Sequence, residues 1–199
     1  MSIGLRAAVA AAALMVAIPA AAQSYSDGYS FIKAVKERDG NKLTELLSEP
    51  GTTVINSKER GSGEGGLHIV TRARDFTWLN FILGKGARPD LQNSGGATAL
   101  SLAAQIGWVE GAELLLRHRA SVDLGNSRGE TPLILAVQRR DLAMVRVLLA
   151  KGADPKKTDS AAGLSALDYA TRDGSRSAAI LKLLQAPRTP ARQVAGPKL

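Results

Sequence analysis

A short phrase recurs in this chain at an almost fixed interval. Its fullest form is Gly129-Glu130-Thr131-Pro132-Leu133-Ile134-Leu135-Ala136, closed by Val147-Leu148-Leu149-Ala150-Lys151-Gly152-Ala153-Asp154-Pro155. Another copy, Thr98-Ala99-Leu100-Ser101-Leu102-Ala103-Ala104 with Leu115-Leu116-Arg117-His118-Arg119-Ala120, stands 33 residues earlier. Leu67-His68-Ile69-Val70 with Ile82-Leu83-Gly84-Lys85-Gly86-Ala87 stands 33 before that. Leu67, Leu100, Leu133 and Leu167 thus open successive units at steps of 33, 33 and 34 residues. A weaker unit comes first, with Phe31 and Ala34 in one helix and Leu46-Leu47 in the next; its longer return, Ser48 to Thr53, accounts for the 36-residue step from Phe31 to Leu67. A period of this size specifies stacked helix pairs rather than one closed core, and it makes the end units atypical because each has a single neighbour.

Each unit has a local physical logic. Thr131 suits an N-cap and Pro132 the first helical turn, where its missing N–H costs nothing. Leu133 and Ala136 share one helical face, and the small side chains of Ala103, Ala136 and Ala170 allow close helix approach. In the second helix, Leu142 to Ala150, the apolar positions Val145, Leu148 and Leu149 fall at helical spacing. Gly152 supplies a left-handed residue at its end, preceded by Lys151 at the negative pole of the helix. After that the chain makes an extended excursion before the next pair.

Composition agrees. Of 199 residues 45% are hydrophobic but only 4% aromatic, which suits short Ala- and Leu-rich helices better than a sheet core. The absence of cysteine excludes disulfides, thiol nucleophiles and zinc ribbons, and fits an oxidising compartment. Arg6, the apolar run Ala7 to Ile18, Pro19 and then Ala20-Ala21-Ala22 read as a secretory signal, residues 1–22, cleaved after Ala22. A periplasmic location, with no transmembrane segment in the mature chain, is therefore expected. Loss of Arg6 would lower the formal charge from +8 to +7, a balance that favours acidic partners. Residues 186–199 hold three prolines and the cations Arg188, Arg192 and Lys198 without an acid, the composition of a disordered basic tail.

The units resemble the ankyrin repeat, whose signature runs roughly Gly-x-Thr-Pro-Leu-His-x-Ala-Ala and closes on Leu-Leu-x-x-Gly-Ala-Asp. The resemblance implies an all-α solenoid of about five helix-turn-helix units (near 28–60, 61–93, 94–126, 127–160 and 161–185) with projecting β-hairpin-like fingers. In architecture the chain is similar to secreted ankyrin proteins of Gram-negative bacteria. It departs from the pattern at Gly65-Gly66, which replaces Thr-Pro and predicts a less well fixed helix start. It departs again at Arg119, which replaces the closing glycine. Trp78 and Trp108 are expected to pack between repeats.

Nothing in the sequence assembles catalytic chemistry. Gly61-Ser62-Gly63-Glu64-Gly65-Gly66 has the spacing G-x-G-x-x-G, but polar Asn56 to Arg60 precede it where a dinucleotide loop needs a buried strand, so a flexible finger is expected. His68 and His118 lie 50 residues apart and do not make a metal site. His68 stands at the histidine of the repeat signature, where a structural role is implied. An enzyme, a cofactor and a metal are therefore not expected. The residues that change between units are free of packing duty. These include the finger segments Ser57-Lys58-Glu59, Gln92-Asn93-Ser94, Asn126-Ser127-Arg128 and Thr158-Asp159-Ser160. They also include the ends of the first helices. By register Arg72, Gln105, Gln138 and Arg172 share one position, and Ala73, Ile106, Arg139 and Asp173 the next. The resemblance implies that these sets line a concave recognition face, here Arg72, Gln105, Ile106, Arg128, Glu130, Gln138, Arg139, Arg172 and Asp173. Arginine forks suit carboxylates, so an acidic segment of a protein partner, bound by a monomer, is expected. Nucleic acid is not, since the charge is scattered and exposed aromatics for base stacking are lacking. A second reading is a basic protein held on an anionic membrane or polymer by the tail.

Overall fold

The computed structural model describes residues 20–48 and 53–186, with only the backbone described for 20–26. Residues 1–19 of the expected signal segment and 187–199 of the expected tail lie outside it. Ten α helices among the described residues form five consecutive pairs. The pairs are α1 (Ala20–Glu37) with α2 (Gly40–Ser48), α3 (Gly66–Arg72) with α4 (Phe76–Gly84), and α5 (Ala99–Ile106) with α6 (Val109–Arg117). They continue with α7 (Pro132–Gln138) and α8 (Leu142–Ala150), then α9 (Ala166–Asp173) and α10 (Ala178–Gln185). The first helices, α1, α3, α5, α7 and α9, pack one on the next as an inner layer; α4, α6, α8 and α10 do the same outside, while α2 rests on α1. The anticipated all-α solenoid is therefore present, and extended pairing among the described residues is confined to isolated antiparallel bridges at Lys58–Gly65 and Thr158–Ser165.

The repeated words of the sequence are the core. Leu100, Ala103, Leu115, Leu133, Ala136, Leu148 and Ala170 are all fully buried. Burial of a leucine side chain contributes about 1.5–3 kcal/mol. Inner-helix starts are capped by the hydroxyls of Thr98, Thr131 and Ser165, which accept from the backbone N–H of Ser101 (3.1 Å), Ile134 (3.3 Å) and Asp168 (3.2 Å). Outer helices α4 and α8 start on Asp75 and Asp141, whose carboxylates accept from the N–H of Trp78 and Met144. The equivalent place before α6 is Trp108, which makes no side-chain cap. Its indole is buried and needs Gly111 one turn on, where a Cβ would stand 2.1 Å from the ring. Trp78 is half-buried beneath the guanidinium of Arg38 from the preceding unit, 5.6 Å from the ring centroid. Trp78 thus contacts the neighbouring repeat as expected, while Trp108 packs on a glycine of its own unit.

The start of α3 differs from expectation. Gly65-Gly66 does not loosen it. The Gly65 N–H donates to His68 Nδ1 at 3.1 Å, closing the first turn through an imidazole. A Cβ at Gly65 would meet Leu91 at 2.6 Å, and one at Gly66 would meet the Phe31 ring at 3.2 Å. Neighbouring side chains occupy the space that Thr and Pro would fill.

The fingers are also better tied than the flexible finger read from Gly61–Gly66. Three tips lie two or three residues later than the variable segments suggest, at 60–62, 94–96 and 160–162, and the fourth, 127–128, lies within its segment. Asn93, Asn126 and Asp159, in one register position, hold the turns by accepting backbone N–H groups. Asn93 Oδ1 takes those of Gly95 and Ala97, Asn126 Oδ1 those of Arg128 and Glu130, and Asp159 Oδ1 those of Ala161, Ala162 and Gly163. Successive fingers are joined by Ser94 N–H to Ser62 C=O (3.0 Å), Ser127 N–H to Gly95 C=O (3.0 Å) and Ser160 N–H to Arg128 C=O (2.8 Å). Gly63, Gly96 and Gly129 make this approach possible. Each has a positive φ, and a Cβ on any of them would stand within 2.5–2.7 Å of the next finger's serine N. The G-x-G-x-x-G spacing is thus finger packing rather than a phosphate cradle.

Candidate protein-binding face

The cleft between the inner helices and the fingers is crossed by polar bridges. Lys36 of α1 pairs with Glu59, and Arg72 of α3 with Glu64. Further along, Arg128 donates to Glu130 Oε2 through Nε (3.0 Å) and a terminal nitrogen (2.7 Å), and Asn126 Nδ2 donates to the same oxygen at 2.8 Å. Tyr169 of α9 donates to Asp159 Oδ2 at 2.7 Å. Burial would raise the Glu130 pKa, but the donors Asn126, Arg128 and Gln138 hold it below the usual carboxylate range. Asp159 is shifted the same way: burial opposes its charge, and three backbone N–H groups with the Tyr169 hydroxyl outweigh burial. Its charge fixes a finger to an inner helix.

This geometry divides the candidate recognition residues. Glu130 is buried and engaged, and Arg128 is turned back upon it. Arg72 is more than half exposed but ion-paired. Ile106 is half-buried, and its carbonyl accepts from Arg74. Asp173 is gripped by Arg140 Nε (2.6 Å) and a second guanidinium nitrogen (2.7 Å), and accepts from Ser177 at 2.5 Å. The forked Arg140 contact, then Ser177, hold its pKa well below the usual carboxylate range. Gln105, Gln138, Arg139 and Arg172 are exposed. Arg139 lies over Gly107, with guanidinium nitrogens 3.2 and 3.5 Å from where a Cβ would stand. Gln138, Arg172 and Asp173 come together with Val137, Arg140 and Tyr169 around a depression of about 350 Å³. Arg72 is far from this group: it lies two to three repeats away, about 20–30 Å at the usual helix spacing. The arginine row is not one cluster.

Sequence reasoning missed a second set of arginines. At the turn joining inner to outer helix the backbone is left-handed, with φ of 60° at Arg38, 52° at Arg74, 68° at Gly107, 57° at Arg140 and 61° at Gly174. Glycine is the unstrained choice there. Each arginine uses its position to reach the next repeat. Arg38 Nε donates to Asp75 Oδ2 at 2.7 Å, Arg74 donates to the carbonyl of Ile106, and Arg140 grips Asp173. The signal was available: Arg38, Arg74 and Arg140 are each followed by Asp, in the column that holds glycine in the other two units.

His68 completes the picture as a structural residue. It is fully buried, and its Nε2–H donates to the Ala97 carbonyl of the next unit at 2.9 Å. Burial in first place lowers its pKa and keeps the ring neutral. Among the described residues no group of three or more His, Asp or Glu side chains is placed to hold a metal ion.

With helix pairs, fingers and register in place, comparison with known proteins is decisive. The family model for ankyrin repeats, in three copies, matches residues 67–159. This is an ankyrin-repeat protein. Its helix pairs α1/α2 and α9/α10 extend the ankyrin register on either side of that match. An ankyrin repeat-containing protein of Treponema pallidum (strain Nichols) is 41% identical over 134 residues, covering 66% of this chain and 44% of that protein. The human transient receptor potential cation channel subfamily A member 1 is 32% identical, covering 59% of this chain and 11% of the channel. The mouse nuclear factor NF-kappa-B p105 subunit is 32% identical over 61% of this chain and 13% of its own length. The chain therefore spans less than half the length of these curated relatives. What this ankyrin protein shares with all three is the repeat, which is generally a protein–protein interaction module.

Proposed function

We propose that this chain is an exported protein-binding module of the bacterial envelope, acting as adaptor, inhibitor or stabiliser, and that it takes an acidic protein segment on its concave face. The observation that carries this reading is the hollow bordered by Gln138, Arg172 and Tyr169, with Arg139 next in sequence reaching over Gly107 of the preceding repeat. Arg139 and Arg172 are exposed and have no ion-pair partner among the described residues, so their guanidinium groups are available for two-point contact with carboxylates. The repeat alone does not choose the partner, because one scaffold serves unrelated functions. The segment Arg6 to Ala22 supports placement in the periplasm.

A photo-reactive residue at position 138 in the hollow, with one at 146 on the outer layer as control, tests the reading in cells. A partner cross-linked from 138 and not from 146, and lost when Arg139→Glu/Arg172→Glu is added, supports it. Equal cross-linking from both positions, or capture unchanged by the double reversal, rejects it. Release of the protein by osmotic shock tests the compartment, and retention with cytosolic markers rejects an envelope role.

A further inference from the structure

We propose that the loops following the outer helices form a docking edge for an anionic phospholipid surface, independent of the concave face. These loops lie side by side. The Arg88 N–H donates to Asn56 Oδ1, the Ser121 N–H to Asp90 Oδ1 and the Asp154 N–H to Asp123 Oδ1, at 2.8, 2.8 and 2.9 Å. Each bond clamps one loop to the next and fixes their order along the stack.

The clamps also sort the charge. Asp90 is engaged by the N–H and hydroxyl of Ser121, and Asp123 by the N–H of Asp154. The cations have no such partners. Lys85, Arg88, Arg117, Arg119, Lys151 and Lys156 are all exposed, and none forms an ion pair among the described residues. They face solvent over two repeat steps, about 20 Å. Basic groups at helix ends favour the helix dipole, but that accounts only for those in or beside a last helical turn, not for Arg88, Arg119 or Lys156. Arg119 adds an independent observation. It holds a φ of 65° where Gly86 and Gly152 stand in the flanking repeats. Left-handed backbone costs a non-glycine residue about 1 kcal/mol, and here the residue bearing that cost adds a cation to the edge.

The chemistry of the edge fits a sheet of phosphates. Its cations stand on a ridge of helix ends and loops, with Lys85 over the half-buried Phe81 ring at 5.6 Å. Among the described residues the exposed large apolar side chains, Tyr29 and Phe76, lie elsewhere, so the edge presents no exposed aromatic platform for unstacked bases. The chain reaches Ala186 at the same edge, in a hollow shared with Asp154, Pro155 and Lys156. Each cation close to an anionic bilayer strengthens partitioning about fivefold.

Co-sedimentation of the full chain with vesicles of phosphatidylcholine, alone or mixed with phosphatidylglycerol, tests the proposal. Binding is expected only to the mixed vesicles, and it falls as salt shortens the screening length. Lys85→Gln/Arg88→Gln/Lys151→Gln/Lys156→Gln lowers partitioning more than about a hundredfold. Arg139→Gln/Arg172→Gln, on the other face, leaves it as in the parent. The far-ultraviolet spectrum of each variant shows that the stack is intact. Equal binding to pure phosphatidylcholine, an intact quadruple variant that still binds, or preference for duplex DNA over mixed vesicles in competition overturns the proposal.

Discussion

The two edges of the stack use the same residue type in the same strained backbone, to opposite ends. At the turn edge, Arg38, Arg74 and Arg140 hold left-handed backbone and each reaches across to the next repeat. At the loop edge, Arg119 holds the same conformation and stays exposed, with no ion pair among the described residues. The difference is whether the following repeat offers an acceptor within reach. At the turns Asp75, the Ile106 carbonyl and Asp173 do. At the loops, Asp90 and Asp123 are already engaged by backbone N–H groups. An identical local cost is thus offset by an inter-repeat bond on one side and left open to solvent on the other.

Substitutions can break this contrast or sharpen it. The largest effect is expected at the turn edge, where packing is tightest. Gly111→Ala drives a methyl into the Trp108 indole, and overpacking of this kind costs about 3 kcal/mol. Chemical denaturation should show the loss, and a parent-like midpoint would mean that the ring has room to move. Next, Arg119→Gly should stabilise the fold by about 1 kcal/mol, because it relieves strain and breaks no bond that the arginine side chain makes with a carboxylate. A thermal melt without gain would place Arg119 with the stapling arginines. Acid should weaken the turn edge selectively. Asp173 has a pKa below its ordinary 3.8 in the fold, so its stabilising contribution is complete above that value. It is lost as pH falls below 3.8 toward the folded value. Melting curves of the parent and Asp173→Asn should therefore converge with acidification, and parallel curves would refute the link. The smallest effect is expected for Arg140→Gly, where lost staple and relieved strain oppose each other. It should melt close to the parent, while Arg140→Ala, which keeps the strain and loses the staple, melts lower. Equal melting of the two would show that the strain is negligible.

Much of this was legible in the residues. The steps between Leu67, Leu100, Leu133 and Leu167 give the helix pairs, because helix packing requires the same small and large side chains in every unit. Thr131 and Gly152 announce a cap and a stop through backbone chemistry that involves only near neighbours in sequence. What the sequence hid is of longer range. Gly65-Gly66 looks like a weak helix start until Phe31 and Leu91 are seen against it. Asn93, Asn126 and Asp159 look variable at finger tips, but what varies is only the chemistry of the acceptor that holds each turn. Arg72 and Glu130 look free in the sequence because it does not show Glu64 opposite Arg72 or Arg128 folded over Glu130. Variation between repeats marks freedom from one shared packing rule, and local pairing can then claim the residue.

The loop clamps have a consequence for how such a chain can grow. Asn56 to Arg88, Asp90 to Ser121 and Asp123 to Asp154 all join a unit to its immediate successor. None skips a unit. An in-frame duplication of one whole unit would therefore give each loop clamp an equivalent donor and acceptor at the join. It would also lengthen the charged edge by one more set of loop cations. Copy number, which recombination between similar repeats changes readily, then becomes a dial on surface avidity, adjustable without redesigning the loop clamps.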